Sequence, residues 1–573
     1  MSATACDAAC LADLEGRLSL LEDQIEAMQK EGLARTDDVN VFWVLICGIL
    51  VFLMQVGFAM LEVGSVSPKN TKAVLVKNIG DASIGALCWW LVGWGVAYGD
   101  DSGGVIGTTG FALKGDLFEP PGDDAVFSGT SYAEWMFNWA FAATSVTIVS
   151  GAIAERVKIT GYVYYSIVLT SFIYPMVVHW AWSSGGWASA YRETEDHVAT
   201  SGATDFDSLE NDLLVGCGAA DFAGSGVVHM VGGLAALVAA MVARPRLGRF
   251  SEDGTVNRLP QQSSALQTLG TLILWCGWYG FNAGSTLVIT GGRSVVAAKA
   301  MVSTTIAPTA GVLTIVLILK TTQKKFDSSI VNNGILAALV AITAGAPVVE
   351  PEGAFVIGVV SAVVYYLSSA LLLRYQVDDV VDASPVHFFG GLWGMIATGF
   401  LASEEGYLVT YANGVAQDTS QIDFARAQRC KGIFYGGDGS LLAANLALVA
   451  AIISWTAVLS LILFYGIKYT VGLRVPLHVE ESGMDRTRHG AKRRHVLALQ
   501  RAIHKATGGR GTGADNMAVS RHGSGYSSYG GAIPMNASVR DSGFYGKNPA
   551  GGLSARDAAM AEFVLSASKG STK

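Results

Sequence analysis

Long apolar stretches alternate with short polar loops along most of this chain. An α-helix needs about 20 mostly apolar residues to cross a lipid bilayer. Eleven stretches come close to that length, at 41–63, 79–99, 133–154, 160–182, 221–243, 265–289, 296–319, 331–349, 353–373, 383–402 and 441–468. The pattern predicts an all-α polytopic membrane protein with eleven transmembrane helices. It also predicts a polar segment over 1–40, a membrane domain over 41–468 and a tail over 469–573.

Composition supports the membrane assignment and excludes several other classes. Of the 573 residues, 51% are hydrophobic and only 15% are charged, whereas a soluble chain carries roughly 25% charged residues. The net charge of −8 argues against a nucleic-acid partner. The seven cysteines show neither a CxxC pair nor zinc-ligand spacing, so we expect no metal site.

Basic residues concentrate in alternate loops, and this distribution predicts the orientation. They follow the odd-numbered stretches, at Lys69, Lys72, Lys77, Arg156, Lys158, Arg244, Arg246, Arg249, Arg258, Lys320, Lys324, Lys325 and Arg374. Loops rich in Lys and Arg stay on the cytoplasmic side. We therefore expect an extracellular N-terminus and a cytoplasmic tail. The plasma membrane is the default location, because no targeting motif indicates another.

The two ends of the chain have patterns of their own. Apolar residues recur in heptad steps over 11–28, which fits either a coiled coil between subunits or a single amphipathic helix on the membrane surface. The tail is basic over 486–505 and then rich in Gly and Ser, which predicts disorder towards its end. Cys6 and Cys10, and separately Cys217 with Cys430, are predicted outside the membrane, where disulfides can form.

Two segments share the pattern D-x7-H-x2-G-G-L, at 221–234 and 379–392. The first belongs to a helix running inwards and the second to a helix running outwards. They therefore indicate an inverted repeat of five helices each, and such repeats place their site near the middle of the bilayer. His229 and His387 occupy the same position in the two segments, about 12 Å along a helix from the Asp that opens each one.

An ionisable residue at mid-bilayer is costly, so the two histidines predict a functional site. The alternative is that each is a core histidine bonded to a helix carbonyl. A neutral imidazole can bind a small polar molecule while excluding a bare cation, and two imidazoles that share one proton could form a proton path. Asp221 and Asp379 stand where they would cap their helices. Asp221 would also favour a cation at the outer mouth.

Aromatic residues lie near the expected mouth of this site. Phe137 and Phe141 are one helical turn apart, and Trp182 ends the fourth stretch. Phe281 lies in a glycine-rich stretch four residues before Ser285. Aromatic rings can hold a cation, and a ring gate beneath a hydroxyl acceptor is a reasonable arrangement. The alternative is an ordinary interfacial belt of aromatic residues.

At these residues the sequence resembles the ammonium transporter (Amt/Mep/Rh) family, and within it the plant-type eukaryotic branch. The resemblance covers about 41–490. The matching segments are Gly57–Leu61 with Lys69-Asn70, Gly151–Arg156, Tyr174–Trp182, Asp221–Leu234, Gly277–Ser285, Asp378–His387 and Gly483–Gly490.

The resemblance implies a homotrimer with one pore in each subunit, and it implies roles for individual residues. Phe137, Phe141, Trp182 and Ser285 match the outer ammonium-binding site. Phe141 and Phe281 match a stacked gate, and His229 and His387 match a pair of pore histidines. Asp221 matches a buried acid needed for transport. Thr487 stands where the plant-type tail has a phosphorylatable threonine.

The implied function is high-specificity ammonium uptake, with no enzyme activity and no cofactor. NH4+ would bind outside and lose its proton, and NH3 would then pass the histidine pair with net charge transfer. Methylammonium would enter as an analogue. Two alternatives remain open at this point. One is an ammonium sensor that signals through the tail, and the other is a Rh-like electroneutral NH3 channel.

Overall fold

A computed structural model describes residues 8–115, 118, 130–192, 213–323, 325–412 and 421–488. Apart from one short hairpin, the regular structure of these residues is helical. The helices in chain order are α1 (Ala8–Ser65), α2 (Thr71–Tyr98), α3 (Thr130–Ile153), α4 (Ile159–Trp182), α5 (Ser225–Ala243), α6 (Ser264–Gly284), α7 (Ser294–Thr322), α8 (Ser328–Ile342), α9 (Pro351–Arg374), α10 (384–401), α11 (Glu404–Tyr411), α12 (Gln421–Cys430), α13 (Ser440–Thr470), α14 (Leu477–Ser482) and α15 (Met484–Arg488). The hairpin joins β1 (Asp101–Ser102) to β2 (Ile106–Gly107) in antiparallel register.

A helix lies at each of the eleven predicted positions, as α1 to α10 and α13. Among the described residues, eight helices are long and apolar enough to cross a membrane by length and composition, and α8 is a shorter apolar helix. The protein is therefore an all-helical polytopic membrane protein, as the apolar pattern predicts.

The first helix differs from the expectation of a separate short helix before the first span. α1 runs without interruption for 58 residues, because no proline lies between Ala8 and Ser65 to break it. Its N-terminal part exposes Leu18, Leu21 and Ile25 by more than half of their surface. The coiled coil between subunits stays a prediction.

The two repeated segments cross each other closely. A side-chain carbon on Gly233 would lie 2.2 Å from the backbone nitrogen of Phe388, and one on Gly391 would lie 2.3 Å from the carbonyl oxygen of Ser225. Each glycine therefore touches the backbone of the opposite repeat. Only a residue without Cβ permits this approach, and it brings the two predicted histidines together.

Each histidine lies on a π-helical turn rather than on a regular α-helix. These turns are Ser225–Met230 at the start of α5 and Ser384–Phe389 at the start of α10. Such turns are rare and frequently occur at functional sites. The symmetry of the repeat thus extends to an unusual backbone feature that the sequence pattern does not reveal.

Two tertiary connections join distant parts of the chain. Cys217 and Cys430 form a disulfide. The Asp485 carboxylate accepts hydrogen bonds from the backbone nitrogens of Lys72 and Ala73, at 3.0 and 2.9 Å. The start of the tail thereby caps the N-terminus of α2. Cys6 and the tail beyond residue 488 lie outside the described residues, and Cys10 is described only as part of the backbone of α1.

Candidate functional site

A pocket of about 320 Å³ opens between α3, α4 and the end of α6. Phe137, Phe141, Trp182 and Ser285 all line it, so the structure brings together the four residues predicted for the outer binding site. We refer to it as the proximal pocket. The Phe137 and Phe141 rings lie 4.7 Å apart, and the Trp182 ring stands edge-on to Phe141 at 5.9 Å.

Several polar side chains line the proximal pocket, and those nearest the predicted binding residues are hydrogen-bonded within the protein. The Ser285 hydroxyl donates to the carbonyl of Phe281 at 2.9 Å, which leaves the lone pairs of its oxygen as acceptors. The Tyr98 hydroxyl donates to the Asn138 amide oxygen at 2.8 Å, and both residues line the pocket. Arg293 also lines the pocket, and its guanidinium donates to two backbone carbonyls of α11.

Two stacked phenylalanine rings close the inner end of the proximal pocket. The Phe141 and Phe281 ring centroids are 3.9 Å apart, with an angle of 20° between the planes. Both side chains are almost completely buried. The two rings of the predicted gate pair are therefore in direct contact.

The two histidines lie directly behind these rings. His229 stacks against Phe281 with centroids 5.5 Å apart, and the Nδ1 atoms of His229 and His387 are 3.2 Å apart. Both rings are buried. The two nitrogens can share one proton, so one ring donates and the other accepts. Nε2 of His229 has no hydrogen-bond partner in the described part of the chain, so the alternative of a carbonyl-bonded core histidine does not describe this atom.

The Asp221 carboxylate forms hydrogen bonds with the start of its own helix, α5, and Asp221 is not among the residues that line the proximal pocket. Its carboxylate accepts hydrogen bonds from the backbone nitrogens of Gly226 and Val227, at 2.9 and 2.8 Å. Its backbone carbonyl accepts the indole hydrogen of Trp182 at 2.7 Å. Asp379 caps the second π turn in the same manner. Asp221 therefore fixes both the turn that carries His229 and the indole that lines the pocket.

A second cavity lies on the other side of the histidine pair. It is lined by Phe58, Glu62, Thr147, Asn333 and His387, among others, and it has a volume of about 10 Å³. We refer to it as the distal cavity. The predicted site residues therefore form one series of contacts, from the proximal pocket through the phenylalanine rings and the two imidazoles to the distal cavity.

The structure adds residues that the sequence analysis missed. Trp278 stacks against His229 at 5.4 Å and donates its indole hydrogen to Thr343. Glu62 and Asp81 are buried, although they stand near the edges of predicted spans, where charged residues are ordinary. The helices extend beyond those edges, and this places both carboxyl groups inside the protein. Acidic residues within apolar stretches are unusual, and this feature of the sequence could have identified Glu62 and Asp81.

A charged cluster lies outside the spans, next to the start of the tail. Arg246 forms ion pairs with Glu155 and Asp378, and it lies at 2.8 Å from the latter. Burial would raise the pKa of Asp378, but the hydrogen bonds and charge of Arg246 outweigh it and hold this pKa below its usual range. Asp378 therefore stabilises the folded protein fully at pH values above its ordinary pKa of about 3.9. This stabilisation is lost as the pH falls through the lower pKa that Asp378 has in the folded protein.

Thr487 lies on the surface of α15. Its hydroxyl donates to the carbonyl of Gly483 at 3.0 Å, and Asp485, two residues earlier, caps α2. A charge added at Thr487 would therefore stand beside the contact between the tail and the membrane domain.

The fold and the site together define a polytopic membrane protein in which two stacked phenylalanine rings lie next to a pair of buried histidines. Its family follows from comparison with known proteins. The model of the Ammonium Transporter Family matches residues 42–494, and the chain belongs to this family.

Curated relatives are similar over most of the chain. Ammonium transporter 1 member 3 of Solanum lycopersicum is 37% identical over 464 residues, which cover 79% of this chain and 93% of the relative. Ammonium transporter Amt2 of Archaeoglobus fulgidus is 38% identical over 455 residues, which cover 79% of this chain and 87% of the relative. These relatives are named as transporters and not as enzymes.

Solved structures share the fold. The structure named Sensor Amt Protein superposes with a TM-score of 0.64 at 27% identity, covering 79% of this chain and 99% of its own. Mep2 of Candida albicans superposes with a TM-score of 0.62 at 22% identity, covering 77% of this chain and 87% of its own.

Proposed function

We propose that this protein takes up ammonium with high specificity across the plasma membrane, and that the line of groups described above is its pore. The observation that supports the proposal most directly is the contact sequence from Phe141 through Phe281 and His229 to His387. Family membership and the names of the relatives identify the substrate class as ammonium or ammonia. Methylammonium is the expected analogue.

The proximal pocket is suited to collect NH4+. The rings of Phe137, Phe141 and Trp182 offer their faces and edges to a cation, at roughly 0.5–2 kcal/mol for each cation–π contact. The Ser285 oxygen can accept one N–H, because its own hydrogen is donated to a carbonyl. The Arg293 guanidinium places a positive charge at the pocket wall. Binding of NH4+ therefore depends on the cation–π contacts and the Ser285 hydrogen bond, and not on long-range attraction to negative charge.

Passage beyond the gate requires NH4+ to lose its proton. A bare cation between apolar rings and neutral imidazoles would cost several kcal/mol. NH3 is neutral and small, and it can donate to or accept from the imidazole nitrogens. The two Nδ1 atoms at 3.2 Å can transfer the released proton from one ring to the other, which gives net charge transfer. A Rh-like electroneutral channel is the alternative if the proton returns outside.

The assembly, orientation and regulation belong to the same proposal. The family resemblance supports a homotrimer with one pore in each subunit. The basic loops support an extracellular N-terminus and a cytoplasmic tail. Asp221 acts as the buried acid that holds His229 and Trp182 in place, and Thr487 is the regulatory phosphorylation site. Nothing in this arrangement calls for a cofactor.

An ammonium sensor is the second candidate. Its support is the similar structure named Sensor Amt Protein and the direct contact of the tail with α2 through Asp485. In this alternative the pore binds ammonium, and the tail transmits the bound state to a partner.

Labelled methylammonium uptake into proteoliposomes tests the proposal. We expect saturable uptake by the purified protein, competition by ammonium chloride, and no competition by potassium chloride. Vesicles without protein give the background. Binding of methylammonium without uptake would favour the sensor, and uptake equal to the background without binding would contradict both candidates.

A further inference from the structure

The distal cavity contains an acidic side chain that the proposed pore does not use. Glu62 of α1 is 1% exposed, and it lines this cavity together with His387 and Phe58. The volume of about 10 Å³ is room for about one water molecule, or one ammonia of similar size. A solute that passes His387 therefore meets the Glu62 carboxyl group next.

The two carboxyl oxygens of Glu62 have different surroundings. Oε2 accepts hydrogen bonds from the Asn78 amide at 3.0 Å and from the Ser150 hydroxyl at 3.2 Å. Oε1 is buried and has no hydrogen-bond partner among the residues described. A side-chain carbon on Gly151, which also lines the cavity, would lie 3.4 Å from Oε1. One oxygen is thus fixed by α2 and α3, and the other stays available at the cavity.

The charged groups around Glu62 come from one neighbouring helix. Asp81 and Lys77 of α2 interact electrostatically with its carboxyl group, and the His387 ring faces it across the cavity. The groups that α3 and α8 add to the cavity wall, such as Thr147 and Asn333, are neutral. One carboxylate and one ammonium group of opposite charge therefore act on Glu62, so neither its protonated nor its ionised form is strongly favoured by a single neighbour.

The path continues beyond the distal cavity. A further cavity of about 120 Å³ shares Leu61, Asn333 and Val381 with it, and its charged lining residues are Asp379, Asp382 and Arg249. The carboxylates of this further cavity would favour a cation that leaves the pore. Glu62 therefore lies between a neutral, aromatic segment and a cavity that has two carboxylates and one guanidinium in its wall.

We propose that Glu62 is the proton-exchange site at which ammonia becomes ammonium again before it leaves the protein. The inference rests on the proposed ammonium transport. When the two phenylalanine rings part, NH4+ gives its proton to Nε2 of His229, which has no hydrogen-bond partner among the described residues. His229 passes its Nδ1 proton to Nδ1 of His387, and His387 passes its Nε2 proton to the Glu62 carboxylate, which becomes a carboxylic acid. Ammonia arriving past His387 then takes this proton: the carboxyl O–H bond breaks, an N–H bond forms, and Glu62 returns to the carboxylate.

The chemistry follows from the positions of the two groups. The neutral imidazoles exclude NH4+, so re-protonation must occur beyond His387. Glu62 is the carboxylic acid on the wall of the first cavity that ammonia reaches there. A group that donates a proton at the reacting atom typically accelerates the transfer by about 100-fold or more. Without it, ammonia would leave the pore uncharged.

The test compares wild type with Glu62→Gln in proteoliposomes on a solid-supported electrode, with a pH-sensitive dye inside the vesicles. The amide can keep an acceptor for Asn78 and Ser150 but cannot exchange the proton. An ammonium pulse through wild type should give a current with little rise in internal pH. In Glu62→Gln the current should fall by about 100-fold, while the internal pH rises because neutral ammonia enters.

The matched control is Glu350→Gln. It makes the same change at a carboxylate that binds Lys299 and Ser403 and lines no part of the path. Its current and internal pH should match those of wild type. A wild-type current in Glu62→Gln would overturn the inference. Loss of both signals in folded Glu62→Gln would also overturn it, because that result assigns Glu62 a structural role.

A second variant covers the case in which Glu62→Gln does not fold. Glu62→Asp keeps a carboxyl group but withdraws it by one methylene, so the current should persist with a displaced pH profile. An unchanged pH profile would contradict proton exchange at this residue. A wild-type protein that gives neither signal would contradict the proposed function itself, and this outcome is distinct from every result with the variants.

Discussion

At the scale of residues, the site is a set of buried side chains whose neighbours decide what each can do. Phe281 has Phe141 on one face and His229 on the other, so it separates the proximal pocket from the imidazoles. The sequence predicts Phe281 as a gate from its glycine-rich context. The partner ring, Phe141, is predicted only by the family resemblance, because it is 140 residues away and residue spacing alone does not pair the two rings.

Phe281→Ala should open this separation. Water and potassium could then reach the histidine pair, so we expect the ratio of ammonium to potassium conductance to fall by at least about 10-fold, which corresponds to about 1.4 kcal/mol of discrimination. Current under alternating ammonium and potassium pulses measures this ratio. Phe355→Ala is the control, because Phe355 is about half exposed on α9. An unchanged ratio in Phe281→Ala would show that selectivity is set elsewhere.

At the scale of elements, the repeated segments hold the two histidines in register. Their equivalence is visible in the sequence, because both segments repeat the same Asp, His and Gly-Gly pattern. The π-helical turns are not visible, since their backbone geometry depends on capping by Asp221 and Asp379 and on the crossing of the two repeats. Hydropathy likewise does not predict the length of α1, which depends on the absence of a helix-breaking proline between Ala8 and Ser65.

Gly233→Ala should disturb this register. The added carbon would meet the Phe388 nitrogen at 2.2 Å, and a backbone atom cannot move aside without shifting His387. We expect a loss of stability of about 1–3 kcal/mol, typical of overpacking, and a clear loss of transport. Thermal unfolding and methylammonium uptake measure the two effects.

Gly466→Ala on α13 is the control for this change, because a carbon there meets nothing within 4 Å. It should keep transport and leave stability unchanged or raise it by about 0.5–1 kcal/mol. If Gly233→Ala behaves like this control, the close crossing of the repeats does not position the histidines.

At the scale of the whole molecule, the tail is attached to the membrane domain at the N-terminus of α2. Asp485 makes the attachment, and Lys69 adds hydrogen bonds from its ammonium group to the carbonyls of Glu480 and Glu481, at 2.7 and 2.8 Å. The sequence suggests regulation through Thr487 only by resemblance. The structure adds a physical route, because α15 carries both Thr487 and the capping residue.

Thr487→Asp should weaken this attachment, because it adds a negative charge two residues from the Asp485 carboxylate. We expect lower ammonium transport at equal surface abundance. Thr487→Val removes the hydroxyl without adding a charge, and it should transport like wild type. Equal transport by Thr487→Asp and Thr487→Val would remove the proposed regulatory role of this residue.

The disulfide between Cys217 and Cys430 joins parts of the chain that are 213 residues apart. Such a link stabilises a protein mainly by restricting its unfolded state. The double variant Cys217→Ala/Cys430→Ala should therefore unfold at lower temperature, with a loss of about 2–4 kcal/mol. Transport at low temperature should stay close to wild type, because neither residue lines the path. Equal thermal stability would contradict a structural disulfide here.

The central claim is that ammonium crosses through the histidine pair. Current against external ammonium in voltage-clamped oocytes tests it most directly, for wild type and for His229→Ala/His387→Ala at equal surface abundance. The account predicts a saturating inward current in wild type that is lost, or altered in ion selectivity, in the double variant. An identical, equally selective current in both proteins would contradict it.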